Sequence, residues 1–466
     1  MDSESVNEKL APVGLEPIAG FGELPISQIK PERLSQEGVR MTIRGRSVVL
    51  RGLSRPPKGI FRWLWVLGPG LVAASAGNDA GGIATYSSAG AKFGYDLLWV
   101  MLIITVSLAI VQEMCSRLGA ATGRGLLDLI RERFGLGWSL IAVSAILIAN
   151  TGLVISEFVG IGAASELFGI SRYITVPVAA LVVWYLVVYG NYRQVERIFL
   201  VMTLVFFAYP IAAILAQPDY SAVLKGLFVP RIYTNLEYLI MLVALIGTTI
   251  TPYMQLFQQS STVERNVARS TYGYERIDAY AGSIFSNFMS ISMIIATAAT
   301  LHLAGQTQIE SAADAAKALE PVAGKFAQTL FGIGLLGASM LAAAVLPLAT
   351  SYAVSETFGF QKGVNLDFRR APVFFRLFSL LILIGAVVAL IPNLPVISLL
   401  FGVQILNGAI LPIILLFILL LVNDTRLMRE LKNTRFYNVL GWATLIVIAI
   451  AVVSMFGLQI WELLKS

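Results

Sequence analysis

The chain has 466 residues, 57% hydrophobic and 13% charged, with a formal net charge of +6. That composition excludes an ordinary soluble globular protein and fits a polytopic, all-α membrane protein. One cysteine, Cys115, excludes a disulfide framework and a cysteine-rich metal site, and one histidine, His302, excludes any site built on paired histidines.

Residues 1–60 are polar, with several prolines and ten lysines and arginines up to Arg62, and contain no apolar core of a signal peptide. They read as a largely disordered cytoplasmic tail. Apolar runs of spanning length follow at about 64–89, 95–117, 137–165, 173–189, 195–216, 237–263, 277–303, 325–357, 373–391, 394–421 and 438–461. That is eleven transmembrane helices. Of the 34 lysines and arginines, 27 fall in the tail and every second loop after it, and 7 in the remaining segments. The bias places the amino terminus in the cytoplasm and the carboxyl terminus outside. It also accounts for the positive charge without nucleic acid. The predicted division is a tail (1–60), a transporter core (61–421) and a last loop and helix (422–466).

The first span contains Ser75-Ala-Gly-Asn-Asp-Ala-Gly-Gly-Ile-Ala-Thr-Tyr86. Gly77, Gly81 and Gly82 loosen the helix there, and Asp79 is a full carboxylate about 20 Å from the entry at Trp65, near mid-bilayer. A charge at that depth costs roughly 2.5–3.5 kcal/mol, and irregular backbone survives there only inside protein or along a polar cavity. The sixth span carries a second break at Thr251-Pro252-Tyr253, at similar depth but entered from the opposite side. Two broken helices of opposite direction, five spans apart, predict a five-plus-five inverted repeat, at about 64–216 and 237–421, with the ligand where the breaks meet.

The donors near both breaks are oxygens: the Asp79 carboxylate, the neutral oxygens of Asn78 and Thr251, and unwound carbonyls near Ala76 and Thr248. Such a set suits a hard cation. Other polar residues leave alternatives. Glu157, deep in span 3, is a path residue or a structural pair. Gln404, in apolar span 10, meets the ion or its water, or hydrogen-bonds another helix. Glu113 and Arg117, four apart, read as an ion pair. Met254 reads as packing, His302 as solvent-facing, and the small residues of span 8 as close helix packing.

These motifs resemble the Nramp family of divalent-metal transporters. Leu67-Gly68-Pro69-Gly70 with Asn78-Asp79-Ala80-Gly81-Gly82 is similar to that family's Gly-Pro-Gly entry and Asp-Pro-Gly-Asn break. Gln112 with Arg117-Leu118-Gly119 and Thr122-Gly123, Gly247 through Tyr253, and Gln404 with Leu411-Pro412 extend the likeness over about residues 64–421. The resemblance implies a LeuT-type fold and a metal site between broken helices 1 and 6. It places Asp79 on the family's aspartate, Gly82 on its asparagine ligand, Thr251 on its methionine ligand and Thr248 on the alanine whose carbonyl binds metal. Tyr253 and Gln258 stand for the sixth helix's two histidines. Val154 stands for one acid of the proton route, and Glu157 keeps the other.

The departures resemble the NRAMP-related magnesium transporters, a branch with a roomier, hydrated site. Magnesium dehydrates reluctantly, and exchanging Asn for Gly and Met for Thr leaves space for its waters. Uncoupled uptake is feasible, because a divalent cation gains about 4.6 kcal/mol per 100 mV. The expectation is a secondary transporter of Mg2+, with Mn2+ accepted, in a bacterial inner membrane, monomeric, needing no cofactor and no enzyme activity. Asp79, Thr251, Gln404, Ala76, Thr248 and Gly82 would form the metal site, with Asn78, Tyr253, Glu157 and Gln258 around it. The alternatives are a proton-coupled Mn2+/Fe2+ importer, a sodium-coupled solute transporter and a membrane sensor.

Overall fold

The computed structural model describes residues 40–43, 46–49, 78–189, 204–264, 267, 269, 272–363, 366 and 368–465. The chain separates into two units, residues 1–65 and 66–466. The first holds a two-stranded antiparallel hairpin, β1 (Arg40–Ile43) paired with β2 (Arg46–Val49) in the register Arg40 to Val49. The rest of the expected tail, 1–60, lies outside the described residues.

The second unit is helical. It runs α1 (Ala80–Phe93), α2 (Leu98–Thr122), α3 (Leu126–Phe134), α4 (Leu136–Leu167) and α5 (Arg172–Val188). Then come α6 (Ala208–Leu215), α7 (Tyr220–Phe228), α8 (Leu236–Thr249), α9 (Pro252–Glu264) and α10 (Tyr272–Thr297). The chain ends with α11 (Ala327–Phe358), α12 (Pro372–Ala389), α13 (Val396–Val422) and α14 (Arg435–Lys465). Among the described residues, eight helical segments are long and apolar enough to cross a membrane, so the protein is multi-pass. The earlier parts of the first and fifth expected spans, with Ala76, lie outside the described residues.

Two short helices were not expected. The α3 helix has buried leucines on one side and Arg131, Glu132 and Arg133 on the other, which is too short and polar to register as a span. The α7 helix begins on Asp219, whose carboxylate accepts from Ser221 N at 2.9 Å. His302, expected in solvent, is partly buried in a π-helical turn, where its Nδ1 meets the Ala91 carbonyl at 2.8 Å. The reason is Gly94, at positive φ, which leaves room for the ring against the end of α1.

The core is arranged around α4, which packs on α11, α12 and α13, while α10 packs on α1 and α2, and α9 on α2. The α8 and α13 helices pack closely. A Cβ on Gly247 would meet the Gln404 and Gly408 backbones, and one on Gly408 would meet the Val243 backbone. Small residues are what allow helix backbones to approach in a membrane.

Candidate metal site between the two helix breaks

The sixth expected span is two helices. The last turn of α8 closes with Ile250 N on Ile246 O at 2.8 Å, and Ile250 then leaves helical geometry at φ −113°, ψ 61°. Because α8 stops at Thr249, the carbonyls of its last turn lack intrahelical amides and form the negative end of its dipole. Pro252 opens α9, a position where its missing N–H costs nothing. The break therefore follows from a proline that cannot continue α8 but can begin α9.

The first break is described from Asn78 onward. Asp79 is the N-cap of α1 and accepts from Gly82 N at 2.6 Å. The Glu157 side chain, on α4, reaches the same helix end and accepts from Ala80 N at 3.4 Å. It can do so because Gly160, one turn on, has no side chain where Ala80 and Ser339 come in. Asp79 is 2% exposed and Glu157 0%. Two buried carboxylates thus share the positive end of one helix.

Gln404 joins the two breaks. A Cβ on Gly81, in the first turn of α1, would collide with its side chain, and one on Gly247, in the last turns of α8, would collide with its backbone oxygen. Its Oε1 accepts from Asn407 Nδ2 at 3.3 Å, while its Nε2 has no protein partner. The Thr248 and Thr251 hydroxyls are also buried without a protein partner. Tyr253 is buried within electrostatic reach of both Asp79 and Glu157. Asn78 Oδ1 accepts from Ser290 Oγ at 3.2 Å, and Tyr86 O–H lies 2.9 Å from Thr249 Oγ1.

The expected site residues divide accordingly. Asp79, Glu157, Tyr253, Gln404 and Asn78 lie on or beside the helix ends. Gly82 takes part through its amide, which holds Asp79 and is a donor. Gln258 lies farther along α9 and donates to Ser116 Oγ at 2.8 Å. Sequence reasoning missed Ser290, which positions Asn78, and Gly160, which admits α1; neither has a local signal of its own. Among the described residues no group of three or more His, Cys, Asp or Glu side chains could hold a metal ion. Any cation here is met by one or two carboxylates and neutral oxygens, a hard donor set.

A multi-pass helical membrane protein in which broken helices bring a carboxylate, hydroxyls and free carbonyls together at their ends has the form of a secondary transporter core. The family described as natural resistance-associated macrophage protein-like matches residues 70–457, and the chain belongs to this Nramp family. It is 30% identical over 431 residues to the divalent metal cation transporter MntH of Deinococcus radiodurans, covering 89% of this chain and 93% of that one. Its fold matches the manganese transporter of Eremococcus coleocola with a TM-score of 0.69 at 21% identity, over 86% of this chain and 89% of that one. It also matches MhsT, solved with L-phenylalanine, with a TM-score of 0.57 at 15% identity, over 84% and 97%.

Proposed function

We propose that this chain is a secondary transporter that carries Mg2+ into the cell as a partly hydrated ion, accepts Mn2+, and does not couple the movement to protons. The observation that carries this is the pair of buried, partnerless hydroxyls, Thr248 and Thr251, at the break between α8 and α9. Hydroxyls at that break serve the waters of a hard cation, and they offer none of the thioether softness that selects transition metals. Asp79 supplies the neutralising charge, and Gln404 and the α8 carbonyls complete the oxygen cage. The MntH relative, named a divalent metal cation transporter, supports the substrate class.

The rest of the reading goes with it. Eleven spans form a five-plus-five inverted repeat, with the amino terminus in the cytoplasm and the carboxyl terminus outside. The core is 61–421, preceded by the tail 1–60 and followed by 422–466. The absence of coupling is supported by the seam between α4 and α12, where Val154 packs with Phe158 around Gly385 and offers no titratable group.

A second reading, proton-coupled import of Mn2+ or Fe2+, is favoured by one observation: Glu157 lies beside Asp79 at the same helix end. Uptake into proteoliposomes with a pH dye in the lumen separates the two. The expected outcome is Mg2+ entry driven by an inside-negative potential, with no acidification. Mn2+ entry with acidification, and none for Mg2+, gives the second reading instead.

A further inference from the structure

The stripe that begins at Thr251 does not stop at the site. Thr251, Gln255, Gln258 and Thr262 follow at i, i+4, i+7 and i+11, one face of α9, and all four are buried. The face of α2 that meets this stripe carries Gln112 and Ser116, four apart. Farther along, the two faces satisfy each other. Gln258 Nε2 donates to Ser116 Oγ at 2.8 Å, and Ser116 Oγ lies 3.2 Å from Thr262 Oγ1. One turn nearer the break they do not. Gln255 is 1% exposed and neither amide atom has a protein partner; Gln112 is 5% exposed and its Oε1 has none. On α10, Asn287 repeats the pattern one turn before Ser290, with both amide atoms buried and partnerless.

Buried amides without partners lose their hydration with nothing in return, so a native chain retains them where water or a ligand supplies the missing bonds. We propose that Gln255 and Gln112 form a second station for the divalent cation, about 6 Å along α9 from Thr251. Asn287 supplies a further partnerless amide on α10. The station binds the ion through its waters. An amide oxygen accepts from a water of the hydration shell, and an amide N–H orients the next one. No carboxylate belongs to it, since the nearest on α2, Glu113, is held by Arg117 at 3.1 Å and by the Tyr272 hydroxyl. A neutral station holds a hydrated cation weakly, which suits release more than capture. This deepens the proposed cation transport and rests on it.

The test is initial-rate Mg2+ uptake in proteoliposomes by Gln255→Leu, Gln112→Leu and Gln255→Asn, with thermal melting of each purified variant. Leucine is expected to lower kcat about tenfold and leave KM within twofold, because Asp79 still captures the ion. Melting temperature is expected to stay level or rise, since leucine removes an unpaired polar group, and asparagine is expected to restore part of the rate. Unchanged kcat in both leucine variants overturns the station. So does a lowered rate that travels with a lowered melting temperature and no rescue by asparagine, the mark of a structural role. If the wild type carries Mn2+ but not Mg2+, the magnesium reading fails alone and the same ratios with Mn2+ judge the station. A wild type that moves neither ion overturns both.

Discussion

Two of the buried polar clusters that contain carboxylates are built on opposite terms. At the far end of α2, Glu113 pairs with Arg117 at 3.1 Å and receives the Tyr272 hydroxyl. Arg117 donates to Asn433 and to the Leu431 carbonyl, and lies 5.1 Å over the Tyr437 ring. Charge is matched by charge, and three helices are tied together. At the breaks, Asp79 and Glu157 share the N-terminus of α1 with no cationic side chain paired to either among the described residues, and the hydroxyls and amide around them lack protein partners. A cluster that completes itself is structure. A cluster left incomplete around two acids is the one that suits a cation from outside, and that difference is the ground for the proposed site.

Breaking the incomplete cluster has the largest expected effect on transport. Asp79→Ala is expected to reduce uptake to background while the protein still purifies as a folded species; wild-type rates in proteoliposomes would remove Asp79 from the site. Breaking the complete cluster has the converse effect. Arg117→Leu leaves Glu113 buried without its partner, at a cost of about 3–5 kcal/mol. The expected result is a sharp fall in folded yield and melting temperature, with the Mg2+ to Mn2+ uptake ratio of the surviving protein unchanged. A changed ratio would mean that the two clusters are not separate in function. The smallest and sharpest effect is Thr251→Met. It puts a soft thioether at the break between α8 and α9 and is expected to raise the Mn2+ to Mg2+ uptake ratio about tenfold, equivalent to ~1.4 kcal/mol. No change in the ratio would show that Thr251 does not face the ion.

How far the sequence revealed this contrast depended on distance along the chain. The long helices were legible because apolar runs of spanning length have few alternatives, and the second break because proline interrupts such a run. The Glu113–Arg117 pair was legible because it is local, at i and i+4. Gln404 stood out as a lone amide in an apolar helix, but its position between Gly81 and Gly247 depends on three helices meeting. The choice between roles for Glu157 likewise depended on Gly160 admitting α1, which no local pattern records. Helices α3 and α7 went unseen because they are short and half polar, and the hairpin at 40–49 because its surroundings are rich in charge and proline. The family resemblance, by contrast, was legible from an ordered set of motifs, and the match over residues 70–457 bears it out.

The contact of α8 with α13 has a mechanical consequence. Gly247 and Gly408 bring the two backbones so close that a single methyl group would not fit between them. The α8 helix therefore cannot tilt without carrying α13 with it. The α9 helix is joined to it only through the non-helical Ile250 and Thr251, and no comparable seam fastens it to α13. The two halves of this span are thus held by different neighbours, α8 by α13 and α9 by α2, where a Cβ on Gly119 would meet the Gln259 carbonyl and Gln258 donates to Ser116 Oγ.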